Sequence, residues 1–428
     1  MAPRKIIIDT DPGVDDTLAL LLALSAKPEE IELLMISVTY GNVPLSSCLK
    51  NAVSLFHVLE KELEWRKSQG RSEGYEAMKA CKPILAVGPE HPLEEESLMA
   101  DYFHGIDGLH GVHAQHPHLS PADTWQKLFQ GDTESASDMT RLFTPSSIPS
   151  HKELLRLLRE NPADSISLLT VGPMTMAAQA AAEDPETFLK LKEVVVMGGA
   201  IHVPGNITPA AEFNTYADTV AAARVFALTS AVPASTMPVL PTSLSKLPDY
   251  PSSLSRKLRI ALFPLDITTP HLLMRDTWDA AVKPHLEKGS PLATWVNHFL
   301  SKTFAHIDSL IGPDEIPGLS LHDPLTVWYV LAQDDPAWKM TPKPEDIRIE
   351  TTGQWTRGMH MVDRRGRKRA EDVIVKEATA TEPMTTLTEI PNDEVGWLSS
   401  VRGNRVSRCI ASPGEMEFAP FMLKRILE

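Results

Sequence analysis

Ile6-Ile7-Ile8-Asp9-Thr10-Asp11-Pro12-Gly13-Val14-Asp15-Asp16 is the stretch on which the fold turns. Three consecutive isoleucines are a short apolar run of the kind that is buried on both faces of a parallel sheet. Pro12-Gly13 ends the strand in a turn and lets backbone approach a ligand closely. Asp15 to Ser25 then reads as a helix with its two aspartates in the first turn, where the N-terminal dipole favours negative charge. The segment puts four Asp within eight residues directly after a buried strand. Like charges at such range repel and raise one another's pKa, a cost that a bound divalent cation removes. Ligands that are all oxygen, with no Cys nearby, point to a hard cation, Ca2+ or Mg2+, rather than zinc.

Outward from this segment, strand and helix alternate. Ile31 to Thr39 is β-rich and Ser46 to Trp65 has helical periodicity. Ile84 to Val87 is a strand ended by Gly88-Pro89. Ile166 to Leu169 precedes a helix after Pro173, and Glu193 to Met197 precedes Gly198-Gly199. This pattern predicts an α/β fold: a single large domain with an open, mostly parallel sheet flanked by helices, Rossmann-like in character. Ligands of such sheets sit beyond the carboxyl ends of the strands. The polar clusters fall there, after Ile8, Val38, Leu169 and Met197, which predicts one composite site. Four stretches read as insertions or surface decoration, near residues 60–79, 115–150, 231–255 and 369–408.

The chain has 428 residues, 43% hydrophobic and 23% charged, enough for a large core. Its formal net charge of −15, with no sustained Lys/Arg stripe, excludes nucleic acid and anionic membrane as partners. The densest basic run, Arg364, Arg365, Arg367, Lys368 and Arg369, reads as a solvated turn. Cys48, Cys81 and Cys409 have no CxxC spacing, which argues against a disulfide framework and a zinc site. The N-terminal residues lack the apolar core of a secretory signal, and no apolar run reaches transmembrane length. A cytoplasmic protein is expected.

DTDPGVDD at residues 9–16 resembles the signature of the inosine-uridine-preferring nucleoside hydrolase family. The resemblance implies a calcium-dependent hydrolase of the N-glycosidic bond of ribonucleosides. Asp11 and Asp16 would ligate calcium, with Asp11 also the general base toward the attacking water. Asp15 would hold a ribose hydroxyl and Asp9 would support the cluster. HDPLTVW resembles the family's distal motif, with Asp323 a further metal ligand and His322 near the leaving base. GNITPAAEFN matches in Asn206, Glu212 and Asn214, which would bind the ribose, and in VVVMGGA Met197 would line the site. LLTVGPMTMAA resembles the turn whose residue before Gly-Pro gives a carbonyl to the metal, here Val171, with Met176 in place of the usual Asn. Asn42, in VTYGN, matches a position near ribose and metal.

YFHGIDGLHGVH resembles the loop over the base, with His104 as the matching histidine and His110 and His113 as weaker matches. In PLDITTPH, Thr269-Pro270 stands where many members carry a His, and Asp266 and Thr268 are expected as structural supports. GQWTRGMHMVDRR resembles a C-terminal strand segment, and FMLKRIL the closing helix. The resemblance also implies a small-molecule nucleoside as partner and assembly as a homodimer or homotetramer. Two other classes fit part of the pattern. A non-catalytic descendant would bind ribosides or calcium, although Asp11, Asp16 and Asp323 are all present. An aspartyl phosphatase fits Asp9 and Asp11 but leaves the ribose segment and His322-Asp323 unexplained.

Overall fold

The computed structural model describes residues 2–94, 98–130, 140–238, 247–310, 312, 316–366 and 392–428. In chain order its strands are β1 (Arg4–Thr10), β2 (Ile31–Val38), β3 (Ile84–Val87), β4 (Thr144–Pro145), β5 (Ile166–Thr170), β6 (Glu193–Met197) and β7 (Ile260–Phe263). After these come β8 (Leu272–Met274), β9 (Gly318–Ser320), β10 (Lys339–Met340), β11 (Ile347–Ile349), β12 (His360–Val362) and β13 (Ser407–Ala411). A nine-stranded sheet runs in the order β10-β13-β7-β6-β5-β1-β2-β3-β4. Its pairings are parallel except for the antiparallel β10–β13 pair at one edge.

The three isoleucines occupy β1, fully buried near the centre of the sheet. Burying each such side chain is worth roughly 1.5–3 kcal/mol, so the segment anchors the fold. Ile6 and Ile8 join a core on one face, beneath helices Val14–Leu24, Pro291–Leu310, His322–Leu331 and Glu415–Leu427. Ile7 joins a second core on the other face, with Leu154, Ala177 and Val225 from helices Ser150–Glu160, Thr175–Glu183 and Thr219–Ala227. Both faces are therefore covered, and one domain results. From β1 the chain winds outward through β2, β3 and β4. It then returns to place β5, β6 and β7 on β1's other side. Loops leaving β1 and β5 diverge at this reversal, and the crevice between them is where a doubly wound sheet binds ligands.

The expected strands and helices are present with shifts of one to three residues at their ends, the range over which element boundaries fray. Four strands of the main sheet carry no clear sequence signal: β4, β7, β10 and β13. β13 reads Ser-Arg-Cys-Ile-Ala and lies next to the sheet edge, where one apolar face suffices. Its first two residues fall inside the 369–408 stretch, which is thus partly sheet. Glu60 to Ser68 is the last part of the long helix Leu45–Ser68 rather than a loop. Of the basic run, Arg365 pairs with Asp363 and Arg364 donates to the Ile201 carbonyl, while residues 367–369 lie outside the described residues. Among the described residues no helix is long and apolar enough to cross a membrane.

Candidate active site

Two helix N-termini converge beyond the end of β1. Helix Val14–Leu24 carries Asp15 and Asp16 in its first turn, and helix His322–Leu331, packed against it, carries Asp323. A ligand oxygen from each of Asp15, Asp16 and Asp323 lies within 4.8 Å of the others, all three residues buried. Three hundred residues of chain separate these partners, and only the packing of the two helices joins them. The dipoles of both helix ends favour anionic charge here.

Asp16 is the fixed member. One of its oxygens accepts from the Thr10 hydroxyl at 2.5 Å and the Asp11 N–H at 3.1 Å. The other accepts from the Gly13 N–H at 3.1 Å and from Asn42 Nδ2 at 2.7 Å. Asn42 also ties down Asp11, donating its backbone N–H to Oδ2 at 2.7 Å and its amide to the Asp11 carbonyl at 3.0 Å. Asp11 Oδ1 is buried with no hydrogen-bond partner. Glycines pack against it so closely that a Cβ on Gly172 would sit 2.4 Å from that oxygen.

Burial pushes all these carboxylates up. Asp15 rises to about 7, with Asp16's charge adding to the burial cost. Asp11 and Asp323 are driven well above the usual carboxylate range, by burial first and then by their acidic neighbours. A buried carboxylate oxygen without a donor, beside a triad of further carboxylates, is what a metal ion relieves. The Asp-rich cluster is therefore a site that can hold a metal ion. Asp9 lies just beneath it on β1, in register with Ser37 and Thr170, and burial raises it to about 7.

A cavity of about 330 Å³ opens outward from the cluster. It is lined by Asp15, Asn42, Val171, Met197, Asn206, Glu212, Asn214, His104, His322 and Asp323. Asp11 and Asp16 are fully buried directly beneath this lining. Glu212 caps helix Phe213–Ala217, accepting from the N–H groups of Gly199, Asn214 and Thr215. Asn214 Nδ2 donates to the Val171 carbonyl at 2.8 Å. That carbonyl, expected to face the metal, thus has one lone pair engaged and one to spare. Asn206 Oδ1 accepts the Phe213 N–H at 2.9 Å and holds the loop over the helix. Met176 is buried in the core on the opposite face, so the position that usually carries Asn makes no polar contact here.

Both expected histidines face the cavity. His104 Nδ1 accepts the Val14 N–H at 3.1 Å, the first free donor of its helix. A ring nitrogen that accepts carries no proton, so His104 has its proton on Nε2. Burial holds His104 down to about 3 and His322 down to about 4, so both are neutral imidazoles. His110 and His113 lie elsewhere: His113 bonds Asn51 and Ser120, and the His110 carbonyl accepts from Lys302. Asp266 accepts the N–H groups of Ile201 and His202, as a structural support. Only part of the cavity's outer end was legible: Tyr102 and Phe103 belong to the loop expected over the base, whereas Ile307, Leu310 and Leu319 carried no expectation as a site. Tyr102, Phe103, Ile307, Leu310 and Leu319 line it, and Ile307 and Leu310 read from sequence as one more apolar helix face.

The family model of the inosine-uridine preferring nucleoside hydrolases matches residues 6–386. The chain belongs to this family. Its members are ribonucleoside hydrolases, N-glycosidases that cleave the bond between ribose and base. Over 361 residues the chain is 31% identical to an uncharacterised protein of Schizosaccharomyces pombe, covering 84% of this chain and 89% of that one. It is 28% identical over 361 residues to the pyrimidine-specific ribonucleoside hydrolase RihA of Klebsiella pneumoniae, covering 84% and 88%. A plant nucleoside hydrolase, PpNRh1, superimposes with a TM-score of 0.63 at 20% identity, covering 99% of each chain, a likeness of fold.

Proposed function

We propose that this nucleoside hydrolase is calcium-dependent and cleaves ribonucleosides to ribose and free base with Asp11 as general base. The observation that carries the reading is the meeting of Asp15, Asp16 and Asp323 at the floor of a cavity whose walls bear Asn206, Glu212 and Asn214. Asp11, Asp16, Asp323 and the Val171 carbonyl would hold the cation. An all-oxygen donor set with an unpartnered buried oxygen on Asp11 suits calcium. When bound, the cation supplies a lowered pKa for the attacking water and neutralises the cluster.

Asp11 takes the proton of the water that attacks C1′. Asp15, Asn42, Asn206, Glu212 and Asn214 bind and orient the ribose, and Met197 closes the wall beneath it. The surrounding carboxylates stabilise the positive charge that develops on the ribosyl group. His104 and His322 face the leaving base. The remaining parts of the reading are a cytoplasmic enzyme of purine and pyrimidine salvage, assembled as a homodimer or homotetramer, with insertions in the four stretches named above.

Ribose release from inosine, uridine, adenosine, xanthosine and nicotinamide riboside tests the reading. Calcium-loaded protein is expected to cleave at least one, chelation to abolish the activity, and calcium to restore it. Tight riboside binding with no turnover across the panel would instead favour a non-catalytic binder.

A further inference from the structure

We propose that Thr268 is a positioning residue for departure of the base: its hydroxyl donates to Nδ1 of His322 and fixes the tautomer in which Nε2 presents an N–H to the leaving group. The inference rests on the nucleoside hydrolase reading and concerns a residue that touches neither sugar nor base.

Thr268 ends the short helix Leu265–Thr268 after β7 and is fully buried. Its Oγ1 lies 2.7 Å from His322 Nδ1, and among the described residues it has no other hydrogen-bond partner. Either atom can in principle supply the proton. If Nδ1 did, the hydroxyl proton would be left buried without an acceptor, which costs about 1–3 kcal/mol. If the hydroxyl donates, every polar atom of the pair is satisfied. The proton of neutral His322 then resides on Nε2.

His322 Nε2 has no protein partner and is not among the sealed, unpartnered atoms, so it opens onto the cavity that the ring lines. The same reasoning applies to His104, whose Nδ1 is occupied by the Val14 N–H. The base end therefore presents two neutral N–H donors. As the N-glycosidic bond breaks, its electron pair moves onto the base, and a donor aimed at that charge stabilises it. With Nδ1 protonated, His322 would instead aim a lone pair at the same charge. Thr268 thus acts on the rate of departure and not on ribose binding.

The test compares a nucleoside with p-nitrophenyl riboside, whose leaving group departs without a hydrogen-bond donor. T268V should lower kcat on the nucleoside about 10²-fold, the scale of one positioned donor or acid. It should change p-nitrophenyl riboside turnover by less than about twofold. T268S should restore the nucleoside rate, and T268V should have no further effect in an H322A background. Equal loss on both substrates would mean a merely structural role and would overturn the proposal, as would no loss on either. Nitrogen-15 spectra of the His322 ring give a second readout, free of turnover. The wild-type ring should be protonated at Nε2, and the T268V ring should become a tautomer mixture. A wild-type ring protonated at Nδ1 overturns the proposal whatever the activity, whereas an Nε2-protonated ring in a protein that cleaves no riboside indicts the functional reading instead.

Discussion

At the floor of the cavity Asp16 and Glu212 are buried and each accepts from four donors, while the buried Asp11 carboxylate is held through Oδ2 by the Asn42 N–H. At its outer end Tyr102 and Leu310 are 55% and 60% exposed, and Ile106 on the same loop as His104 is 88% exposed. The floor binds charge, which in a buried site is tolerable only if every partner is in place before the ligand arrives. The rim offers area and aromatic faces, which accept many shapes. On the proposed reading, a rigid end for ribose and metal joined to a permissive end for the base would let one chemistry serve several bases, since discrimination by an apolar pocket is weak.

The largest effect expected from breaking this contrast is at the floor. Asp11→Asn should cut kcat about 10³-fold, within the span of general base catalysis, with circular dichroism unchanged. It should also raise the melting temperature of the metal-free protein, because it removes a buried charge beside Asp16 and Asp15. A fall in that temperature would show that the Asp11 carboxylate is structural.

Gly172→Ala should come next. The residue has ordinary φ, so the effect is purely steric: the new Cβ meets Asp11 Oδ1 at 2.4 Å. Displacing that carboxylate by about an ångström should cost about 10²-fold in kcat and weaken calcium binding, measured by titration.

A smaller effect follows from the protons. Asp9 and Asp15 rise from 3.8 unfolded to about 7 folded. The folded state therefore holds their protons more tightly, and stability is lost as pH rises through 7. The buried histidines act the other way, but only below their unfolded value of 6.5. Between pH 6.5 and 8 the metal-free protein should thus melt at progressively lower temperature, and saturating calcium should flatten the curve. A metal-free melting temperature that rises over this interval would contradict the assignment.

The smallest change belongs to the rim. Tyr102→Ala should raise KM about two- to tenfold, the loss of one aromatic contact, and shift the ratio between purine and pyrimidine substrates while sparing kcat. A kcat loss as large as that of Asp11→Asn would place the rim in the chemistry and erase the contrast.

The sequence by itself determined the central parallel strands and the charged half of the site, but not β4, β7, β10 or β13. Ile6 to Ile8 can only be a buried strand, and four aspartates beyond it need a cation, because pattern and charge are local properties. That Asp323 joins the N-terminal aspartates was legible only through the family resemblance; the tertiary structure supplied the physical reason, since a helix pair three hundred residues apart must pack before their N-termini meet. It also gave the physical cause of the expected choice among the loop's histidines: His104 is held by the Val14 N–H and His113 is drawn away by Asn51. The helical side of the rim stayed hidden because Ile307 and Leu310 obey the same helical periodicity as core residues, and periodicity does not say whether the apolar face meets protein or a ligand.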